Sequence, residues 1–163
     1  LFVHPCVKTE WYDKKHAFTL AGEDKVYTAG SEKLIVTFKG WKICPLICYD
    51  LRFPVWSRNA ENYDLLIYVA NWPAVRIQAW KALLKARAIE NMSFTIGVNR
   101  IGIDANKYEY SGDSSMLNCM GEELSTLKKN ENGIIKATLV KTEQDSIRER
   151  LGFSNDQEAF KIL

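Results

Sequence analysis

Apolar residues along this chain fall into blocks whose spacing separates strands from helices. Residues 34–38, LIVTF, read as a strand, and Gly40 turns it in a hairpin onto residues 43–49, ICPLICY. A nearly unbroken apolar run of this length suits a strand covered on both faces. The run stops abruptly at Cys48-Tyr49-Asp50, and residues 54–63 read as a short helix with Pro54 in its first turn. Residues 64–70, DLLIYVA, form another buried-strand run, broken by the turn-forming Asn71-Trp72-Pro73. Residues 77–91 carry the strongest helical pattern. Trp80, Leu83, Leu84, Ala88 and Met92 recur on one stripe, with Lys81, Lys85 and Asn91 off it. A further strand is predicted over residues 93–98. This order predicts layered α/β packing. Residues 115–119 and 133–140 read as later strands, with Gly121-Glu122 turning between them, and residues 142–150 as a final short helix capped by Thr142.

Composition narrows the class. The chain has 163 residues, 47% hydrophobic and 26% charged, with a net charge of +2. That fits one domain with its own core. Lys14-Lys15 and Lys128-Lys129 are pairs rather than patches, so nothing points to a nucleic-acid partner. No stretch approaches the roughly 18 apolar residues of a membrane span, and no charged-then-apolar leader opens the chain. It starts at Leu1 inside an apolar run, Leu1-Phe2-Val3, which reads as an N-terminally incomplete fold. Cys6, Cys44 and Cys119 read as small buried hydrophobes. His4 and His16 are the only histidines and no second cysteine pair has ligand spacing, so neither a metal nor a cofactor is expected. Cysteines in a chain with this much core material indicate a reducing, cytoplasmic setting.

The segment GWKICPLICYDLRFPVWSR, residues 40–58, carries the chemistry. A strand that ends at Cys48 and turns into a helix holds a thiol at the edge of a sheet, within reach of a substrate. A thiol attacks acyl carbon as the thiolate, from an ordinary pKa of about 8.5, and needs a base or a cation to activate it. His16, beside Lys14 and Lys15, allows a Cys-His pair. The segment YDKKHAFTLAGEDKVYTAG, residues 12–30, equally allows a Cys-Glu-Lys site, with Glu23 as carboxylate and a lysine steadying an oxyanion. A solvated charged loop is the plain alternative, and the residues alone do not choose among the three.

Four blocks in order, YDKKHAFTLAGE, ICPLICYDLRFPVWSR, ANWPAVR and KARAIENMSFTIGVNR, resemble the nitrilase superfamily of carbon–nitrogen hydrolases. The similarity points to its ω-amidase branch, which deamidates 2-oxoglutaramate and related ω-amides. The resemblance implies a four-layer α-β-β-α sandwich, of which this chain carries the C-terminal portion, and association as a homodimer through the outer helices. It implies Cys48 as nucleophile, Lys14 rather than Lys15 as the catalytic cation, Glu23 as a supporting carboxylate and the Tyr49 N–H as a second oxyanion donor. The family's general-base glutamate precedes the lysine block, a context that Glu10, Glu23 and Glu32 all lack; that base is expected upstream of Leu1. Arg87 and Glu90 read as an internal ion pair, Trp72 as a pocket wall and Arg76 as a cation for a substrate carboxylate. Arg52 reads as a clamp of the elbow onto a carboxylate, and Asp50 as structural. The expected reaction is hydrolysis of a small carboxylate-bearing ω-amide to acid and ammonia through a cysteine thioester. A related amidase or carbamoylase, and a non-catalytic scaffold, are the alternatives.

Overall fold

A computed structural model of the chain describes residues 1–159. A short ribbon of β1 (Phe2–Val3) and β2 (Thr9–Glu10) precedes the main sheet. Then come β3 (Val36–Phe38), β4 (Trp41–Ile47), the one-turn helix α1 (Pro54–Ser57), β5 (Leu65–Ala70), α2 (Ile77–Glu90) and β6 (Phe94–Asn99). A second ribbon, β7 (Ile101–Ile103) and β8 (Glu109–Ser111), leads to β9 (Ser115–Leu117), β10 (Glu123–Thr126) and α3 (Lys141–Leu151). The six-stranded sheet has the order β10-β9-β6-β5-β4-β3. Its centre, β4-β5-β6, is parallel, and its flanks are antiparallel.

The register explains why the central strands are apolar throughout. Leu46, Tyr68 and Gly97 lie in one row facing α2, and Pro45, Ile67 and Ile96 in a row on the opposite face. On the α2 side, Trp80, Leu84 and Ala88 are fully buried with Cys44, Leu46, Leu66 and Tyr68. The close approach depends on Gly97. A Cβ there would lie 2.3 Å from Leu84 and 2.7 Å from Trp80. On the other face Ile43, Leu65 and Phe94 are covered by Leu34, Phe38 and Leu139. Val69 and Val98, further along, are about half exposed at 49% and 48%. The α/β class expected from the pattern holds. Of the four layers, the described residues supply one main sheet and the helix on it; the remaining sheets among them are the two ribbons.

Several elements differ from the sequence reading, each for a local reason. The hairpin at Gly40 forms with Lys39 and Gly40 both at positive φ, 48° and 77°; this left-handed pair suits a two-residue connection. The helix predicted over residues 54–63 stops after Ser57. Asn59 accepts from the Tyr63 N–H at 2.7 Å and donates to the Tyr63 carbonyl at 2.9 Å, so its side chain takes over the backbone's bonding. Residues 133–140 form no strand despite their apolar character, for they find no pairing strand among the described residues, and Ile134 is exposed. β10 and the β7–β8 ribbon were not expected; they are short, and polar or glycine-bearing. Helix α3 starts at Lys141 with Val140 at its N-cap, not Thr142, and no side chain caps it. No helix among the described residues is long and apolar enough to cross a membrane.

Candidate active site

The parallel strands β4 and β5 end at the same edge, and the connections leaving them build the site. β4 ends at Ile47. The next residue, Cys48, has φ 46°, in the left-handed region that side chains with a Cβ rarely adopt. The chain then runs into a 3-10 turn over Cys48–Arg52. Strand and turn therefore meet at a sharp corner with the sulfur at its tip. The Sγ lies 3.9 Å from the Asn71 carbonyl, at the end of β5.

Buried Asp50 holds the corner and joins it to a segment more than thirty residues away. Its Oδ2 accepts from the Ile47 N–H at 3.1 Å and the Tyr12 hydroxyl at 2.8 Å. Its Oδ1 accepts from the His16 N–H at 3.0 Å and lies 2.9 Å from His16 Nδ1. The Tyr12 oxygen in turn accepts from Trp56 Nε1 and from the Lys15 N–H. The His16 ring stacks on Phe53 at 3.7 Å. His16 is thus committed to Asp50 and Phe53, which disfavours the Cys-His pair. The segment between Tyr12 and His16 is pinned to the elbow, and Lys14 lies inside it. Gly30 closes it from behind. Its N–H donates to the Lys14 carbonyl at 2.9 Å, and a Cβ at Gly30 would come within 2.2 Å of the Asp13 carbonyl oxygen.

Lys14 Nζ meets Glu23 Oε2 at 2.5 Å, and the same oxygen accepts from the Phe18 N–H at 2.9 Å. Burial alone raises the Glu23 carboxyl, but the ammonium and the N–H outweigh it and hold its pKa below the usual range. At Cys48 the balance goes the other way. Burial pushes the thiol up, the Lys14 ammonium pulls it down, and the net shift is upward. Desolvation thus outweighs the cation among the described residues.

A cavity of about 480 Å³ opens from Cys48, with Tyr49, Glu23, Trp72, Arg52 and Arg76 among its walls. A second cavity adjoins it through Cys48, Glu23, Phe18 and Asn71, and Lys14 lines that one. The six site residues read from the sequence therefore cluster around one sulfur. Trp72 is buried, with its Nε1 donating to the Arg76 carbonyl at 2.9 Å. The Arg76 guanidinium sits 5.4 Å from the Phe18 ring centre. Arg52 corrects another expectation. It clamps no carboxylate among the described residues; its guanidinium lies 5.0 Å from the Trp72 ring centre, facing the cavity. Sequence reasoning also missed Asp104 and Tyr110, on the β7–β8 ribbon. The Tyr110 hydroxyl donates to Asp104 at 2.8 Å, and both line the cavity. The Arg87–Glu90 pair forms as expected at 2.9 Å, and Arg87 also donates to the Leu51 carbonyl at 2.6 Å, supporting the elbow from behind.

The model of the carbon-nitrogen hydrolase family matches residues 8–148. The chain belongs to this family. Within it, the chain is 46% identical over 162 residues to the omega-amidase YafV of Escherichia coli strain K12, covering 99% of this chain and 63% of the relative. It is 36% identical over 147 residues to the 2-oxoglutaramate amidase of Bacillus subtilis strain 168, covering 89% and 56%. Among solved structures, a carbon-nitrogen hydrolase superfamily protein from Xanthomonas campestris with an arsenic adduct in its active site superposes with a TM-score of 0.93. The two are 39% identical, with 98% of this chain and 63% of that one covered. The chain thus spans between just over half and just under two thirds of the length of these proteins.

Proposed function

We propose that this carbon-nitrogen hydrolase cleaves a small ω-amide carrying a distal carboxylate, of the 2-oxoglutaramate type, through a thioester on Cys48. One observation carries the reading: a thiol on a left-handed corner shares its surroundings with the Lys14–Glu23 pair and with a cavity holding Arg52 and Arg76. The names of the omega-amidase and 2-oxoglutaramate amidase relatives support it.

The Cys48 S–H loses its proton to a carboxylate base as sulfur bonds to the amide carbon. Lys14 and the Tyr49 N–H stabilise the oxygen that becomes negative. The Tyr49 N–H suits this role because it lies in the first turn of its helix, where N–H groups lack intrahelical acceptors. One such donor is worth about 3–4 kcal/mol of barrier. The proton passes to nitrogen, the C–N bond breaks and ammonia leaves. Water then gives a proton to the base and attacks the thioester, the C–S bond breaks, and the acid departs as Cys48 recovers its proton. Glu23 orients Lys14. With its pKa held low by that lysine it is a weak base, and Glu10 is bound to His4 and Lys8. The scheme therefore calls for a further carboxylate at the sulfur.

The distal carboxylate is assigned to Arg52 and Arg76, two cations on aromatic faces of one cavity. Trp72 forms the wall beneath. Association as a homodimer through the outer helices and a cytoplasmic location belong to the same reading. The four free cysteines support a reducing compartment, and light scattering of the purified protein measures the subunit count. The functional test is ammonia release by the intact protein from 2-oxoglutaramate, succinamate and N-carbamoyl amino acids. Turnover of the first two that disappears in Cys48→Ala is expected. Turnover of carbamoyl compounds alone, or activity retained in Cys48→Ala, overturns the proposal.

A further inference from the structure

Two of the walls of the Cys48 cavity come from different parts of the chain. One is the turn after β5, with Trp72. The other is the β7–β8 ribbon, with Asp104 and Tyr110. A single buried amide joins them. Asn99, at the end of β6, is 8% exposed. Its Oδ1 accepts from the Trp72 N–H at 2.7 Å, and its Nδ2 donates to the Trp72 carbonyl at 3.0 Å and to the Gly112 carbonyl at 2.9 Å. Gly112 follows directly after β8.

This bonding has only one orientation. The oxygen faces an N–H and the nitrogen faces two carbonyls, so the amide cannot be turned over without setting like groups against each other. Both Nδ2 hydrogens are used. Aspartate would present an oxygen to the two carbonyls, and leucine would leave one donor and two acceptors unpaired. Asn99 does not line the cavity. Every bond of its side chain goes to a segment that does, or to that segment's root.

We infer that Asn99 is a positioning residue that fixes the separation of the Trp72 wall from the Tyr110 ribbon, and so the register between an amide carbon at Cys48 and a distal group at Arg52 and Arg76. This deepens the proposed function and rests on it. Arg52 stacks on Trp72, so a shift of that wall carries the cation with it. The sulfur sits on the β4 corner, whose backbone Asp50 holds; it meets the Trp72 wall only at the Asn71 carbonyl, 3.9 Å from Sγ, and that contact does not set the corner. Loss of the staple therefore misplaces the distal end of the substrate and leaves the nucleophile in place.

The test uses the intact active enzyme with Asn99→Asp and, as a second variant, Asn99→Ser. Ser114→Ala is the control. The Ser114 hydroxyl bonds the Asn99 backbone at 2.9 Å in the same buried locality and touches neither wall. For an ω-amide with a distal carboxylate, KM is expected to rise about tenfold or more in both Asn99 variants, the scale of one or two lost buried hydrogen bonds. For a short neutral amide, kcat/KM should change less than about threefold, and Cys48 alkylation by iodoacetamide should keep its rate on the same scale. Ser114→Ala should leave the ratio between the two substrates unchanged. Equal losses on both substrates, a slowed alkylation, or the same selectivity change in Ser114→Ala would overturn the inference. If the unmodified enzyme turns over no carboxylate-bearing amide, the functional reading fails instead, and the wild-type arm shows that separately.

Discussion

The two ends of the parallel strands β5 and β6 treat charge in opposite ways. At the end where these strands begin, buried Asp64 is met on all sides. Lys141 bonds its Oδ1, Arg148 lies 3.3 Å from the same oxygen, and the Lys42 N–H donates to Oδ2 at 2.8 Å. Gln144 and Arg148 also bond the carbonyls of Asp64, Tyr63 and Met92, which fastens α3 across the strand starts. At the other end, Arg52 and Arg76 meet no carboxylate among the described residues and rest on aromatic faces. Cys48 there holds a strained backbone and a thiol whose pKa burial raises. Where charges are mutually satisfied the strands are tied down. Where cations and a nucleophile are left facing a cavity, the partner has to come from outside the fold.

The largest expected effect probes the strained end. Cys48→Gly should lose turnover by at least about a thousandfold while gaining about 1 kcal/mol of stability, because glycine relieves the left-handed conformation. Assay and thermal melt together check it; a lower melting midpoint would remove the claim of stored strain. Lys14→Gln comes next. It should cost about 10²–10³ in kcat, the scale of an oxyanion donor, whereas Lys15→Gln, whose ammonium lies over the Trp56 ring, should stay within about twofold. Equal losses in both variants would mean that the lysine segment is not specific to the site.

At the satisfied end, Asp64→Asn should lower unfolding stability by about 3 kcal/mol, because two cations lose their shared carboxylate. kcat/KM per folded molecule should be unchanged. A denaturant titration paired with the assay measures both, and lost activity without lost stability would erase the contrast between the ends. The smallest effect is a pH dependence. Burial pushes the Cys44 thiol from the ordinary thiol range, about 8.5–9, up to about 12. Between those values the folded state keeps a proton that the unfolded chain releases, so stability is intact below pH 9 and falls as pH rises toward 12. One such group removes on the order of 1 kcal/mol at pH 10. Cys44→Ala should flatten that part of the stability curve, and an unchanged slope would refute the assignment.

Much of this molecule was legible in its residues. The break at Cys48, the turn at Asn71-Trp72-Pro73 and the stripe from Trp80 to Ala88 fall where β4, β5 and α2 place them; Met92, the last of that stripe, lies just past the end of α2. Hydrophobic period and turn chemistry are local properties, and they mark an element wherever it packs. Residues 133–140 show the limit. Their pattern suits a strand, but a strand also needs a neighbour, and none among the described residues pairs with them.

The sequence by itself determined the order of the parallel strands and helices, the family motifs and the residues able to carry the chemistry. Only the tertiary structure decided how they meet. Asp50 joins the elbow to His16 across 34 positions, Asn99 joins β6 to Trp72 across 27, and Arg52 turns onto Trp72 rather than onto a carboxylate. Each of these contacts depends on the chain folding back on itself, and a local pattern of apolar and polar residues carries no record of which distant segment will lie opposite.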